Sequence, residues 1–319
     1  MSDLTVLHAL LSRVGCTDVL RDHLKAYVRK RGAELAGDAS RDATLVEDLI
    51  AFKERLNTVT DTAFGKREAF AHVIQEAFEY FLNIRPNKPA ELIAKFLDGK
   101  LRQGNKESSE QELESLLDRA LVLFRSIHGK DVFEAFYKKD LAKRLLMAKS
   151  ASADLEKVLL SKLKAECGSQ FTNNLEGMFR DIELSRDIML SFKEQAKYAS
   201  AVRAFDLDVT VLTAGFWPTY LPVNVALPPD MVAAQEVFSQ FYLSKHGGRR
   251  LTFQSSLGTC VIKASFRRGK KELSVSQFQA LVLLLFNDRD TMTFAEIKAA
   301  LSIGTAPFGP LFLANRVHR

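Results

Sequence analysis

Few residues in this 319-residue chain lie at spacings that catalysis requires. The three cysteines, Cys16, Cys167 and Cys260, are far apart and form no CxxC pair, which argues against a structural zinc site built from this chain alone. Six histidines are scattered along the sequence, and the phosphate-cradling GxxxxGK[ST] and GxGxxG motifs and the zinc-binding HExxH motif are missing. We expect no catalytic residue, no metal and no cofactor.

Individual residues with possible chemistry have simpler structural interpretations. Cys260 lies in the middle of a predicted strand on its apolar face, so the sequence favours a core thiol over a nucleophile. The acidic pair Asp181 and Glu183 falls within a predicted helix, and we expect both side chains on its solvated surface. Each histidine is expected at the surface or in helix packing.

The main charge feature is a basic run between Gly247 and Lys271 that contains no acidic residue. It is equally consistent with a solvated hairpin whose charges discourage aggregation and with a surface for an acidic partner. Over the whole chain, 45 Lys plus Arg against 39 Asp plus Glu give a formal charge of +6, which requires neither nucleic acid nor a membrane. The candidate acidic-partner residues are Arg249, Arg250, Arg267, Arg268, Lys270 and Lys271.

A small antiparallel sheet is predicted in the same region. A run at 250–256 predicts one strand, a run at 259–266 predicts another, and residues 272–275 can pair back after a turn. One face of the second strand consists of Cys260, Ile262, Ala264 and Phe266. So few strands leave open edges, which a strand from another chain can complete or a helix or loop of this chain can cover.

The rest of the chain is predominantly helical in pattern. Apolar residues recur at i, i+3, i+4 and i+7 in several segments, as amphipathic helices require. These segments are 110–128, 131–147, 153–167, 174–196 (as one or two helices) and 230–245. Ser109 with Glu112, and Thr293 with Glu296, predict capping boxes at two helix starts.

The composition and the positions of the prolines exclude other classes of protein. With 47% apolar and 26% charged residues, the chain resembles an ordinary globular protein rather than a disordered one. The longest uncharged stretch, 209–229, contains four prolines and cannot form a continuous membrane-spanning helix. Predicted helices at 276–287 and 294–301 could begin a winged helix, but the second offers only Lys298 for reading bases, which favours protein packing.

Several long segments resemble the cullin family. The segments are GKDVFEAFYKKDLAKRLL at 129–146, DVTVLTAGFWP at 208–218, FSQFYLSKHGGRRLTFQSSLGTCVIKASF at 238–266 and KKELSVSQFQALVLLLFN at 270–287. RPNKPAELIAKFLDGKLRQGN at 85–105 points to the cullin-4 type. The resemblance covers roughly residues 40–302, and it departs from the family pattern at both ends, as a fragment truncated there would.

The resemblance implies a mainly α fold in five parts. Residues 1–90 are expected to form the last helical cullin repeat, and 91–245 the four-helix bundle of the cullin homology domain. A small antiparallel α/β region over 246–276 is followed by the start of an incomplete winged helix over 277–302. A divergent tail occupies 303–319.

The resemblance also implies a non-catalytic scaffold of a cullin-RING ubiquitin ligase, in the nucleus and cytoplasm. A RING-finger subunit would add a strand to the α/β region and recruit the ubiquitin-conjugating enzyme, supporting protein ubiquitination and degradation. The implied RING-binding residues are Leu251, Thr252, Phe253, Gln254, Ser255, Cys260, Val261, Ile262, Lys263, Ala264 and Phe266, with Phe253 replacing the family's usual Trp. The adaptor-binding repeats and the lysine that accepts the ubiquitin-like modifier lie outside the matched pattern, which leaves adaptor binding and neddylation open.

Two other interpretations remain at this point. A nucleic-acid-binding protein would use the basic 249–271 hairpin and the predicted winged-helix start, and its binding would weaken steeply with salt. A remnant unable to fold, because its first winged helix is cut short, would show no cooperative thermal transition.

Overall fold

The structure is a computed structural model that describes residues 2–102, 109–195, 205–266 and 269–302. Its α-helices are α1 Ser2–Arg13, α2 Thr17–Gly37, α3 Leu45–Ala63, α4 Glu68–Leu82, α5 Lys88–Leu101, α6 Glu110–Arg125, α7 Lys130–Leu146, α8 Ala153–Cys167, α9 Ser169–Glu194, α10 Pro229–Lys245, α11 Gln277–Leu285 and α12 Phe294–Leu301. Strands β1 Thr259–Phe266 and β2 Gly269–Ser276 form the sheet, and 3-10 turns occupy Ala39–Arg41 and Ser255–Leu257. The expected fold class, mainly α with a small antiparallel sheet, is confirmed.

The chain divides into two compact units. The first comprises Met1–Ile182 with Leu212–Pro218, and the second comprises Glu183–Val211 with Thr219–Arg319. Across the described part of the chain, no helix combines the length and apolar character needed to cross a bilayer.

The N-terminal helices of the first unit pack through dense aromatic stripes. α4 buries Phe70, Ile74, Phe78 and Phe81 on one face, at the spacing of an amphipathic helix. Gly32 of α2 permits the close approach of α4, because a Cβ at that position would overlap the Phe81 ring. Burying each large apolar side chain contributes about 1.5–3 kcal/mol, so this stripe is a principal source of the unit's stability.

A buried ion cluster joins α5, α7 and α8. Arg144 on α7 donates from Nε and Nη2 to the two carboxylate oxygens of Glu156 on α8, at 2.7 and 3.0 Å, and from Nη1 to Asp98 on α5 at 2.5 Å. Glu156 also accepts from the hydroxyls of Tyr137 and Ser150, at 3.1 and 3.0 Å. Burial alone would lower the pKa of the Arg144 guanidinium, but its carboxylate partners raise that pKa above the ordinary value. The cluster therefore keeps its charges in the core by satisfying them.

The predicted helix starts and lengths agree with the structure in most places. The capping box at Ser109 and Glu112 is confirmed, since each residue's side chain accepts a hydrogen bond from the other's backbone N–H. The box at Thr293 and Glu296 is confirmed in the same way. The segment 174–196, left as one or two helices, lies within the continuous helix α9 as far as Glu194.

The expectation for Asp181 is wrong. This residue is buried rather than solvated, and its carboxylate accepts hydrogen bonds from the Thr213 N–H at 2.6 Å, the Thr213 hydroxyl at 3.0 Å and the Trp217 indole N–H at 2.7 Å. These bonds fasten residues 213–217 to α9. Glu183 is exposed, as expected.

Two apolar clusters lie among the described residues of the second unit. One is centred on the buried rings of Phe192 on α9 and Phe238, Phe241 and Tyr242 on α10. The other is centred on α11 and α12, where Phe278 and Leu281 meet Ile297 and Leu301. The segment at 223–227 lies against this second cluster, and the Ala226 N–H donates to the Leu301 carbonyl at 2.9 Å.

Replacing Arg144 with Met should strongly destabilise the protein, by about 3–5 kcal/mol, because Glu156 and Asp98 would remain buried without their shared partner. Urea denaturation followed by circular dichroism measures the change. Lys143→Met is the matched control. The Lys143 side chain is 56% exposed, and its ion pair with Asp140 is long, at 3.7 Å. Its change should stay within about 0.5 kcal/mol. Equal stability of R144M and wild type would show that the cluster is dispensable.

The free energy of unfolding should also rise between about pH 8 and pH 10.5, because of Lys53. Burial lowers the pKa of this lysine to about 8 from an ordinary 10.5, although its Nζ lies 4.8 Å from the Phe78 ring centroid. Between these values the unfolded chain holds a proton that the folded chain has released, so raising the pH favours folding. The stability gained by Lys53→Met should therefore be larger at about pH 7.5, which lies below both pKa values, than at about pH 9.5, which lies between them. Exposed Lys30→Met is the control, and a pH-independent difference for K53M would contradict the prediction.

Candidate functional site

The hairpin of β1 and β2 forms the candidate site. The strands pair antiparallel from Thr259 opposite Ser276 to Phe266 opposite Gly269, which confirms the predicted pairing of 272–275. Because successive side chains alternate across a strand, β1 has two different faces. The partly buried face contains Cys260, Ile262 and Ala264, and the exposed face contains Val261, Lys263 and Ser265.

The sheet is open at its edges. Among the residues that the structure describes it has only these two strands, so each strand has one side without a strand neighbour. Along an antiparallel strand, successive N–H groups point alternately toward the partner and away from it. Of any two neighbours, such as Val261 and Ile262, one therefore presents its N–H to the outer edge of β1. Such an edge can accept a further strand.

The hairpin is fixed to α11 at its base. β2 continues directly into α11, and Ser276 caps the helix in a capping box with Gln279. The Gln277 N–H donates to the Gly258 carbonyl at 2.8 Å, which ties the start of β1 to the start of α11. Gly258 allows this contact because a Cβ there would overlap the Gln277 side chain. The sequence analysis did not identify Gly258 or Gln277 as structurally important. The only signal for them was a glycine directly before the predicted strand.

The expected strand at 250–256 is not formed. Residues 251–254 have no regular structure, and Ser255–Leu257 is a 3-10 turn. Leu251 and Phe253 pack against the cluster of Phe192 and Phe238 instead, with the Phe253 and Phe238 ring centroids 6.5 Å apart. The run that predicted a strand thus includes apolar residues that pack on α10 without pairing with another strand.

The structure separates the RING-binding candidates into two groups. Leu251, Thr252, Phe253 and Gln254 lie in the irregular segment, and Ser255 is buried at the start of the 3-10 turn. Cys260, Val261, Ile262, Lys263, Ala264 and Phe266 all lie on β1. The second group presents apolar surface to solvent, because Val261 is 67% exposed and Phe266 is 55% exposed. β1 is therefore the part of the candidate set with an available edge.

Several acidic-partner candidates are exposed on β2 or before the hairpin in the chain. Arg249, Arg250, Lys270 and Lys271 are exposed, and Arg249 donates to the Tyr242 hydroxyl at 2.9 Å. Neither Arg250 nor the two lysines form an ion pair with a carboxylate among the described residues. The candidates at 267 and 268 lie outside the described residues.

The described residues of the hairpin show no arrangement suited to bond chemistry. Burial raises the pKa of the partly buried Cys260 thiol, which disfavours the reactive thiolate. In the ranges that the structure describes, no three His, Cys, Asp or Glu residues are grouped so that they could hold a metal ion. What the hairpin offers is a backbone edge and a basic surface, which suit protein binding.

Comparison with known proteins agrees with this arrangement. The family model described as the cullin alpha solenoid domain matches residues 1–189, and the one described as the cullin alpha+beta domain matches residues 211–308. The second match contains the whole hairpin. The chain belongs to the cullin family.

Among curated relatives, this chain is similar to Cullin-4A from Mus musculus, with 54% identity over 94% of this chain and 40% of the relative. It is 53% identical to Cullin-4A from Homo sapiens over the same shares. Cullin-4 from Dictyostelium discoideum is 47% identical over 94% of this chain and 38% of the relative. The chain thus spans about 40% of the length of these relatives.

Replacing Gly258 with Ala should loosen the base of the hairpin. The backbone at Gly258 has φ −66° and accommodates alanine, so the expected loss, on the order of 1 kcal/mol, comes from displacing the Gln277 side chain. Thermal denaturation measures this loss. Gly247→Ala is the control, since a Cβ there meets nothing within 4 Å and should leave stability nearly unchanged. Equal melting temperatures of the two variants would show that the Gln277 side chain does not restrict the residue at position 258.

Proposed function

We propose that this chain is the RING-binding scaffold segment of a cullin-RING ubiquitin ligase. A RING-finger subunit adds a strand to β1, and the assembly supports ubiquitination and ubiquitin-dependent degradation. The observation that carries the proposal is the open outer edge of β1 in a chain of the cullin family. Strand addition would satisfy backbone groups of β1 that have no strand neighbour among the described residues.

The scaffold acts through proximity and contributes no reacting group. By holding the RING subunit, the chain places the ubiquitin-conjugating enzyme near a substrate and raises the effective concentration of the reactants. This role needs a rigid hairpin base, which the Gly258–Gln277 contact and the Ser276 cap support. The chain itself is therefore proposed to be a non-enzyme subunit.

The basic surface beside β1 extends the proposal. Arg249, Arg250, Lys270 and Lys271 would meet acidic surfaces of the conjugating enzyme and speed its arrival, since complementary charge mainly affects association rate. We place the protein in the nucleus and cytoplasm.

Co-expression with a RING-finger subunit followed by pull-down tests the proposal. Wild type should capture the subunit, whereas the double variant Val261→Pro, Ile262→Pro should lose capture on the order of tenfold or more. One of these two prolines removes the outward N–H and the other disrupts pairing with β2. Capture retained by the proline variant would count against strand addition at β1.

A conservative variant separates backbone from side-chain effects. Val261→Thr with Ile262→Val keeps both N–H groups and the β-branched shape, so it should capture the RING subunit nearly as wild type does. Circular dichroism of all variants checks that the helical core stays folded. Loss of capture in this control would assign the interaction to side chains.

Salt distinguishes the proposal from nucleic-acid binding by the basic residues. Capture through a backbone ladder and apolar side chains should persist when NaCl is raised from about 0.1 M to about 0.5 M. Binding driven by phosphate contacts should fall steeply over the same range. The same pull-down at both salt concentrations, with a labelled oligonucleotide in parallel, makes the comparison. Salt-sensitive oligonucleotide binding without RING capture would favour the nucleic-acid interpretation.

A further inference from the structure

Residues 207–211 form a strap against the C-terminal half of α9. The strap has no regular secondary structure, but its burial alternates, because Leu207, Val209 and Val211 are partly buried and the two residues between them are exposed. The three partly buried side chains pack on one apolar cluster of the second unit. The aromatic members of this cluster are Phe192, Phe238, Phe241 and Tyr242.

Two side chains of α9 hold the backbone of the strap. The Val211 N–H donates to Ser185 Oγ at 2.8 Å, and the Ser185 hydroxyl donates to the Val211 carbonyl at 3.2 Å. The Val209 N–H donates to the Met189 sulfur at 3.3 Å. Ser185 and Met189 are four residues apart and share a face of the helix, whereas Val209 and Val211 are two residues apart in the strap. Because Ser185 is only 4% exposed, removing its hydroxyl would leave the Val211 backbone groups without this partner in a largely dry position.

Leu251 and Phe253 pack on the same aromatic cluster. The Phe253 and Phe238 rings meet edge to face, with their centroids 6.5 Å apart. One set of buried rings therefore carries both the strap and the segment that precedes the hairpin. Because protein interiors are closely packed, a change at the strap alters the packing that holds Leu251 and Phe253.

A short hydrogen-bonded link joins Phe253 to the hairpin. Within residues 254–258, the Leu257 N–H donates to the Gln254 carbonyl at 3.0 Å, and the Gly258 N–H donates to the Ser255 carbonyl at 3.3 Å. The Gly258 carbonyl in turn accepts from the Gln277 N–H at 2.8 Å. These bonds leave the link little freedom, so the position of Phe253 bears on the start of β1.

We propose that the strap positions the hairpin by holding Leu251 and Phe253 on the aromatic cluster, which makes Ser185 a positioning residue for partner binding at β1. The identity of the partner, a RING-finger subunit, rests on the proposed function. Leu251 and Phe253 then support capture without touching the RING subunit. An undocked strap would leave the edge of β1 intact but its base less fixed, and capture would weaken as the competent hairpin became less populated.

The methyl resonances of Leu251 in the full chain test this positioning without any partner. Methyl groups packed on aromatic rings have shifted NMR signals, and Leu251→Ile identifies which signals belong to this residue. Ser185→Ala should move them toward the values of an unfolded leucine. Ser244→Ala is the matched control, since Ser244 is an exposed serine of α10 whose hydroxyl donates to the Phe241 carbonyl of the same helix at 2.7 Å. It should leave the Leu251 signals unchanged.

A second variant keeps the test valid if Ser185→Ala does not fold. Val209→Ala retains the N–H that bonds to Met189 but removes apolar contact with the cluster. It should move the Leu251 signals in the same direction. Its control is Thr210→Ala, because Thr210 is exposed between the packed residues of the strap. Circular dichroism shows whether each variant retains its helices.

The Kd of the purified RING-finger subunit for each variant tests the consequence for binding. Ser185→Ala should raise this Kd on the order of tenfold, and Ser244→Ala should not change it. Phe253→Ala should also raise it. The double variant of Ser185 and Phe253 should raise it by less than the product of the two single effects, because both substitutions disturb the same packing.

Unchanged Leu251 signals in the folded strap variants would overturn the proposal, as would an unchanged Kd for Ser185→Ala. Single effects that multiply in the double variant would also overturn it, since they would show that Phe253 and the strap act independently. A wild-type chain that captures no RING subunit would contradict the proposed function instead. The Leu251 signals would then still decide whether the strap positions the segment before the hairpin.

Discussion

The buried guanidinium of Arg144 imposes the main constraint on the first unit. It is 1% exposed and bonds both carboxylate oxygens of Glu156 while reaching Asp98 on a third helix. Arg102 pairs with the other oxygen of Asp98 at 2.5 Å, so the two cations and two anions balance. A planar fork with fixed donor directions accepts only one arrangement of its partners, and lysine could not replace it. The cluster therefore fixes how α5, α7 and α8 align.

The polar backbone groups at the edge of the hairpin in the second unit are in the opposite situation. In the Arg144 cluster, hydrogen bonds satisfy the charged groups within the protein. On the hairpin, the outer N–H and C=O groups of β1 have no strand partner in the part of the chain that the structure describes. Water can satisfy such groups at little cost, and another strand can replace that water. The hydrogen bond from Gln277 to Gly258 ties the base of this hairpin to the start of α11.

Sequence reasoning succeeded where structure depends on local spacing. The helix over residues 153–167 and the capping boxes at Ser109 and Thr293 require only contacts within a few residues, and these predictions are confirmed. It failed for Asp181, because the partners that bury this carboxylate lie more than 30 residues away along the chain. It also could not distinguish a strand at 250–256 from an irregular segment with one packed face. Alternation reports one-sided burial and does not require pairing with another strand.

The same limits apply to the candidate site, where the sequence left two interpretations of the basic run open. The structure places exposed Lys263, Lys270 and Lys271 on the two strands that also expose Val261 and Phe266. Like charges on an apolar edge oppose pairing between two copies of the same hairpin. An acidic partner would remove that repulsion as it approached. One set of lysines can thus discourage self-association and favour a complementary partner, so the two interpretations describe a single property of the edge.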